Sequence, residues 1–306
     1  MSILNQKTIY DKISFRGIGL HTGKLVELNL LPSEPNTGII FKRIDLKKNN
    51  IILPTYNNVV DTTLCTTISN EYGAKVSTIE HLMGALYGVG IDNLIVEVNS
   101  QELPILDGSA KIFIEKILST GIKSSSSPIK LIKVNKKVSY SEGSKNISLD
   151  KSKVSSDINF QIKYDNKIIS TQKNKINVFS DDLKEIFESR TFCLYKDVEK
   201  LQQLGFAKGG SLENAIVVGD NEILNKEGLR NSKEFVNHKI LDCIGDLYTC
   251  GYRMIGSVIC SQGGHYLTNK LLRKLFSDQK NYSLFEIKGK NLPHFFANKD
   301  QLKSIA

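Results

Sequence analysis

One nine-residue stretch, HKILDCIGD (238–246), carries residue types that enzymes use to hold metals and move protons. His238, Asp242 and Asp246 recur there at intervals of four. At 100° per residue, positions four apart stack on one face of a helix. Asp is a poor residue for a helix interior, so its repetition asks for a chemical reason. An imidazole and a carboxylate one turn apart can share a metal ion, the same geometry that makes HExxH a metal site. The spacing alone leaves the plainer reading open, since a His–Asp pair on a helix is usually a solvated ion pair or hydrogen bond.

A second stretch, STIEHLMGALYGVGIDN (77–93), places Glu80 and His81 on another helix, read as Ser77–Tyr87. Its apolar face is Ile79, Leu82, Met83 and Leu86, and His81 lies opposite among Ser77, Gly84, Ala85 and Gly88. A solvated face normally carries long charged residues, so a face of small ones implies that something packs closely on it. The later helix, read as Lys239–Cys250, has Ile240, Leu241, Ile244, Leu247 and Tyr248 on its core side. His238, Asp242 and Asp246 lie opposite. If each apolar side covers its own sheet, the other two sides meet, and His81 joins His238 and Asp242. Two imidazoles and a carboxylate suit a catalytic zinc with one position open. Glu80 has two readings. Ser77 and Glu80 match the S-x-x-E capping box, or Glu80 is the general base beside the metal.

The elements that must position these residues form two halves. HLMGALYGVGIDNLIVEV and DCIGDLYTCGYRMIGSVI share Leu-Tyr-x-x-Gly and then run into a β-branched strand, in a register that sets His81 opposite Asp242. A duplicated αβ unit explains the likeness. Between the halves, KSSSSPIK (123–130) reads as a linker, because four serines and Pro128 cannot continue a helix or strand. Strand runs such as LVELNLLP, TGIIFKR, NNIILP, KLIKVNKKVSY and INFQIKY outnumber helices. They predict mixed αβ domains with largely antiparallel sheets rather than a doubly wound fold.

Bulk properties narrow the class. Of the five histidines, His21 (GIGLHTG) and His265 (SQGGHYL) lie in glycine-flanked turns, and His294 (LPHFF) reads as structural. The five cysteines are odd in number and form no CxxC, which argues against a disulfide framework and for a reducing cytoplasm. The net charge of +9 reflects scattered lysines, and no nucleic-acid-binding signature accompanies it. No apolar run of membrane-spanning length occurs, and MSILNQKTIY is too polar for a signal peptide.

Eight stretches in order resemble the zinc-dependent deacetylase family of lipid A synthesis, which acts on UDP-3-O-acyl-N-acetylglucosamine. They are GIGLHTG (17–23), DTTLCT (61–66), STIEHLMGALYGVGIDN (77–93), ELPILDGSA (102–110), SRTF (189–192), GGSLENAIVV (209–218), HKILDCIGD (238–246) and GGHYLTNKLL (263–272). The Lys/Asn-rich region 140–180 matches poorly. The resemblance implies an α+β fold of two similar domains in a β-α-α-β sandwich, helices inside and sheets outside. Residues 1–123 form the first domain, 124–128 the linker and 129–306 the second, with an insert near 194–217 as an acyl passage.

The resemblance also implies the site. His81, His238 and Asp242 hold one Zn²⁺, with Fe²⁺ as a substitute. Glu80 takes the proton of the attacking water. The Thr191 hydroxyl holds the oxyanion. His265, kept cationic by Asp246, stabilises negative charge and protonates the leaving amine. Phe192, Lys239, His21, Leu64, Leu201, Gly210 and Ser211 contact substrate. Leu194, Val198, Leu201, Leu204, Phe206 and Ala207 could line the passage, although the LxxVxxLxxL pattern also fits any amphipathic helix. The partner is an acylated UDP-sugar. The chain itself is expected to be a cytoplasmic monomer, near a membrane surface at most. A binding protein on the same fold is the alternative, disfavoured by the complete catalytic set.

Overall fold

The computed structural model describes residues 5–286, so His294 lies outside the described residues. Two larger sheets flank a helical layer. The first has the strand order Ile13–Ile18, Leu25–Pro32, Leu94–Val98, Ile39–Arg43, Ile51–Ile52. The second has seven strands. Arg253–Ser261 is central, between Lys145–Asp150 and Lys130–Val134, and Ser156–Lys163 also pairs with it. Most pairings are antiparallel. Parallel ones join Ile39–Arg43 to Leu94–Val98, Arg253–Ser261 to both Lys130–Val134 and Ser156–Lys163, and, in a separate two-stranded sheet, Phe192–Leu194 to Ile216–Val218. The described helices are α1 (Glu80–Val89), α2 (Lys111–Thr120), α3 (Lys184–Phe187), α4 (Tyr195–Gln203), α5 (Glu234–Tyr248) and α6 (His265–Phe276). This is the expected α+β sandwich.

Helices α1 and α5 form its centre. Every residue of α1 except Gly88, and every residue of α5 except Lys239, is buried. A helix covered on all sides needs one face small enough for another backbone, and both supply it. A Cβ on Gly84 would meet Leu241 Cδ1 at 2.6 Å, and one on Gly245 would meet the Glu80 carbonyl oxygen at 2.0 Å. These contacts are reciprocal under the proposed duplication, which equates 80 with 241 and 84 with 245. Tyr87 and Tyr248, also equivalent, meet edge to face with centroids 5.1 Å apart. The helices therefore run side by side in the same direction, and both first halves lie at one end. Leu241 packs between the helices as well as into the core, which its assignment to a sheet-facing side alone did not allow.

Three local expectations need correction. First, α1 begins at Glu80 rather than Ser77. Ser77 is still tied to the neighbouring segment through its N–H and hydroxyl to the Gln101 carbonyl, and Thr78 turns the chain with φ +58°. Second, α5 begins at Glu234, five residues before the expected start, because Glu234 is held at its first turn by the buried Arg190. Third, the serine run is not irregular. Ile122–Pro128 is a strand paired antiparallel with Asn5–Ile9. Pro128 stands at the strand end, where a missing N–H costs little. Bonds from Asn5 Nδ2 to the Ser125 carbonyl and Gln6 Nε2 to the Pro128 carbonyl hold the pairing. The poorly matching region 140–180 supplies three regular strands, Lys145–Asp150, Ser156–Lys163 and Thr171–Asn177. The alternating burial of SDINFQIK shows a strand with one face on the core.

Candidate metal centre

His81, in the first turn of α1, and His238 and Asp242, one turn apart on α5, converge as the crossing requires. All three are buried, and one ligand atom from each lies within 4.8 Å of the others. Asp242 Oδ1 is 3.6 Å from His81 Nε2 and 3.5 Å from His238 Nε2. That oxygen is buried with no hydrogen-bond partner. A buried carboxylate oxygen without a donor is costly unless a cation meets it.

The surroundings fix each donor. His238 Nδ1 is 3.1 Å from the Ser189 carbonyl, which can only accept, so the neutral ring carries its hydrogen there and turns the Nε2 lone pair inward. Burial, aided by His81 and Lys239 and opposed by Asp242, pulls the His238 ring down to about 3, which keeps it a ligand and not a cation. The other Asp242 oxygen accepts from Lys239 Nζ at 2.6 Å. Burial works to raise the Asp242 carboxyl, but His238 and Lys239, with His81 and His265, hold it well below the usual carboxylate range. The orphaned oxygen, the two inward Nε2 atoms and their burial fit a divalent metal.

Beside these donors stand a buried carboxyl and a third imidazole. Glu80 Oε2 accepts the Thr66 N–H at 3.0 Å, and its Oε1 lies 4.0 Å from His265 Nε2. No side-chain cap forms at the start of α1, so the capping-box reading of Glu80 is set aside. Burial raises the Glu80 carboxyl, partly offset by His265 and His81. His265 is the first residue of α6 rather than part of a turn. Its Nδ1 is 2.8 Å from Asp246 Oδ2. Burial alone would lower this imidazole, but Asp246, then Glu80 and Asp242, push it up to about 9. The second Asp246 oxygen accepts from the Thr66 hydroxyl at 2.5 Å.

An apolar cleft of about 350 Å³ adjoins the centre. His21, Leu64, Thr191, Phe192, Leu201 and the Gly210–Ser211 pair all contribute to its wall, as do Val198 and Leu212. Helix α4 buries no residue of its own, so its Val198 and Leu201 serve the cleft and not the core. Thr191 is held by its N–H to the Gly108 carbonyl. His21 Nε2 is buried and without a partner, and its ring is lowered by burial and by the charge of His265, against Glu102. Lys239, expected at substrate, is bonded to Asp242.

Sequence reasoning gave no role to three residues. Thr66 bonds both Glu80 and Asp246. Glu102, fully buried, accepts from the backbone N–H groups of His21 and Thr22 and the Thr22 hydroxyl, fixing the His21 turn. Arg190 joins Glu234 at 2.9 Å and Glu227 at 2.6 Å, clamping the segment that presents the Ser189 carbonyl to the start of α5. Thr66, Glu102 and Arg190 lie inside motifs already noticed, but their hydrogen bonds span up to 180 residues and have no signal in local spacing.

A family model described as UDP-3-O-acyl N-acetylglycosamine deacetylase matches residues 6–277. The UDP-3-O-acyl-N-acetylglucosamine deacetylase of Haemophilus ducreyi is 42% identical over 280 residues, 90% of this chain and 92% of that protein. The protein of the same name from Actinobacillus succinogenes is 42% identical over 293 residues, 94% and 96% of the two chains. That of Myxococcus xanthus is 43% identical over 292 residues, 95% and 92%.

Proposed function

The chain belongs to the UDP-3-O-acyl N-acetylglycosamine deacetylase family, and from that membership we propose that it hydrolyses the acetamide of UDP-3-O-acyl-N-acetylglucosamine in lipid A synthesis. Acetate and the free amine are the products. The observation that carries the reading is the orphaned Asp242 oxygen between two imidazole Nε2 atoms, with a base and a cationic acid beside it.

His81, His238 and Asp242 would hold one zinc ion, for which iron(II) could substitute, and Lys239, bonded to one Asp242 oxygen, leaves the other free for it. When bound, the ion supplies Lewis acidity, polarising the acetamide carbonyl and acidifying water. Glu80 accepts the proton of the attacking water, a task suited to a carboxyl raised by burial. The Thr191 hydroxyl donates to the developing oxyanion. His265, cationic through Asp246, offsets negative charge and then gives its proton to the leaving amine. Thr66 holds base and orienter in register through its two hydrogen bonds.

The acyl chain occupies the cleft beside Leu201, Phe192 and Leu64, with Gly210 and Ser211 at its wall. His21 and the remaining Lys239 donors meet the polar part of the substrate. The division into residues 1–123 and 129–306 is part of the same reading, supported by the five-stranded sheet of the first part and the seven-stranded sheet within the second. No described helix is long and apolar enough to cross a membrane. The enzyme works in the cytoplasm as a monomer.

The test is incubation with an acylated UDP-N-acetylglucosamine, with and without chelator. Acetate release that stops on chelation and returns with zinc supports the reading. No release, or release indifferent to chelator, overturns it.

A further inference from the structure

A second cavity, of about 410 Å³, lies at the opposite ends of α1 and α5 from the metal centre. Its wall draws on Gln6, Asp92 and Asn93 from the first half and Lys130, Tyr252 and Arg253 from the second. None of the catalytic or metal residues lines it. Eight residue rises of 1.5 Å from His81 to Val89 put the charged end of its wall, at Asp92 and Asn93, roughly 12 Å or more from His81.

The charges around it do not balance. Arg253 and Lys130 are on the wall, and Lys7 lines an adjoining cavity that shares Gln6 and Asn93. Asp92 is the carboxylate among them. It meets Arg253 through one bond of 3.3 Å and spends its other oxygen on the Lys7 backbone N–H at 2.8 Å. Arg253 Nε is buried with no hydrogen-bond partner. Among the described residues, neither the Lys7 nor the Lys130 ammonium forms an ion pair. Burial, and next the Arg253 charge, pull the Lys7 ammonium below its ordinary value, against Asp92. A half-buried guanidinium so poorly satisfied is expensive, and a concave wall concentrates its field.

We infer that this cavity between the two halves binds a small oxyanion-bearing molecule, a phosphate or carboxylate, held by Arg253 and Lys130. Ile39, Leu53 and Met83 on the same wall leave room for an apolar portion. The volume suits a small metabolite. The inference is independent of the catalytic reading, since the site shares no residue with it.

The test uses metal-loaded protein titrated at constant ionic strength with inorganic phosphate, and separately with citrate, followed by amide NMR. Saturable shifts at Asn93 and Gly251–Arg253 are expected with at least one probe. Lys130→Ala, a change at a half-buried position, should weaken that binding about tenfold, the worth of one charged hydrogen bond. It should leave acetate release without added anion unchanged. Arg253→Gln should weaken binding at least as much. Shifts confined to the surroundings of Glu80, His81 and His265, the absence of saturation with both probes, or equal affinity in the Lys130→Ala protein would each overturn the inference.

Discussion

The proposed catalytic chemistry rests on two side chains driven in useful directions by their surroundings. Burial raises Glu80 toward the range of a working base, and Asp246 raises His265 to about 9. Glu80→Gln should keep fold and metal yet lose roughly 10²–10⁴ in kcat, the usual worth of a general base, as measured by acetate release and metal analysis together. In the proposed reaction His265 acts protonated, so its contribution should be present below its pKa and lost as pH rises through about 9. Asp246→Asn removes the main group holding it up, and burial then pulls the imidazolium down. The alkaline limb of kcat/KM should move to lower pH with little change in zinc content, and an unmoved limb would deny Asp246 its orienting role. The meeting of His81, His238 and Asp242 was legible in the sequence because two of them sit one helical turn apart on α5 and the third on a helix of matching pattern, whereas the roles proposed for Glu80 and His265 came from the family resemblance and not from spacing. Thr66 and Glu102 were not legible as partners, because a hydrogen bond closed by folding leaves no mark on spacing.

At the level of elements, the decisive feature is the close approach of α1 and α5, which lets one His from the first half reach two donors on the second. The small residues on the α1 face announced that approach in the sequence, and the shared Leu-Tyr-x-x-Gly announced its register. Gly245→Ala presses a methyl on the Glu80 backbone, whereas Gly84→Ala presses mainly on the flexible tip of Leu241. The first should cost about 1–3 kcal/mol or more, the second less, by urea denaturation. Equal costs would contradict the packing described. Helix ends were less legible. The true start of α1 depends on a left-handed Thr78 and on bonds from Ser77 to Gln101, and that of α5 on the distant Arg190. The serine run was misread for a related reason, since its strand exists only through pairing with Asn5–Ile9.

In the whole molecule, the sandwich could be argued from two amphipathic helices whose polar sides had to face each other. The second cavity could not, because Lys130 and Arg253, 123 positions apart in the chain, come together only when two parallel strands pair. A metal held by residues 81, 238 and 242 ties the two halves together, so chelation should lower the melting temperature. Zinc at a hundredfold over its Kd should restore about 2.7 kcal/mol. The most direct test of the central claim is the zinc content of folded wild-type protein beside His81→Ala, His238→Ala and Asp242→Ala. The account predicts about one zinc per chain in the wild type, lost together with acetate release in all three variants. Full zinc retained by any variant that is still folded, or activity surviving without metal, would contradict it.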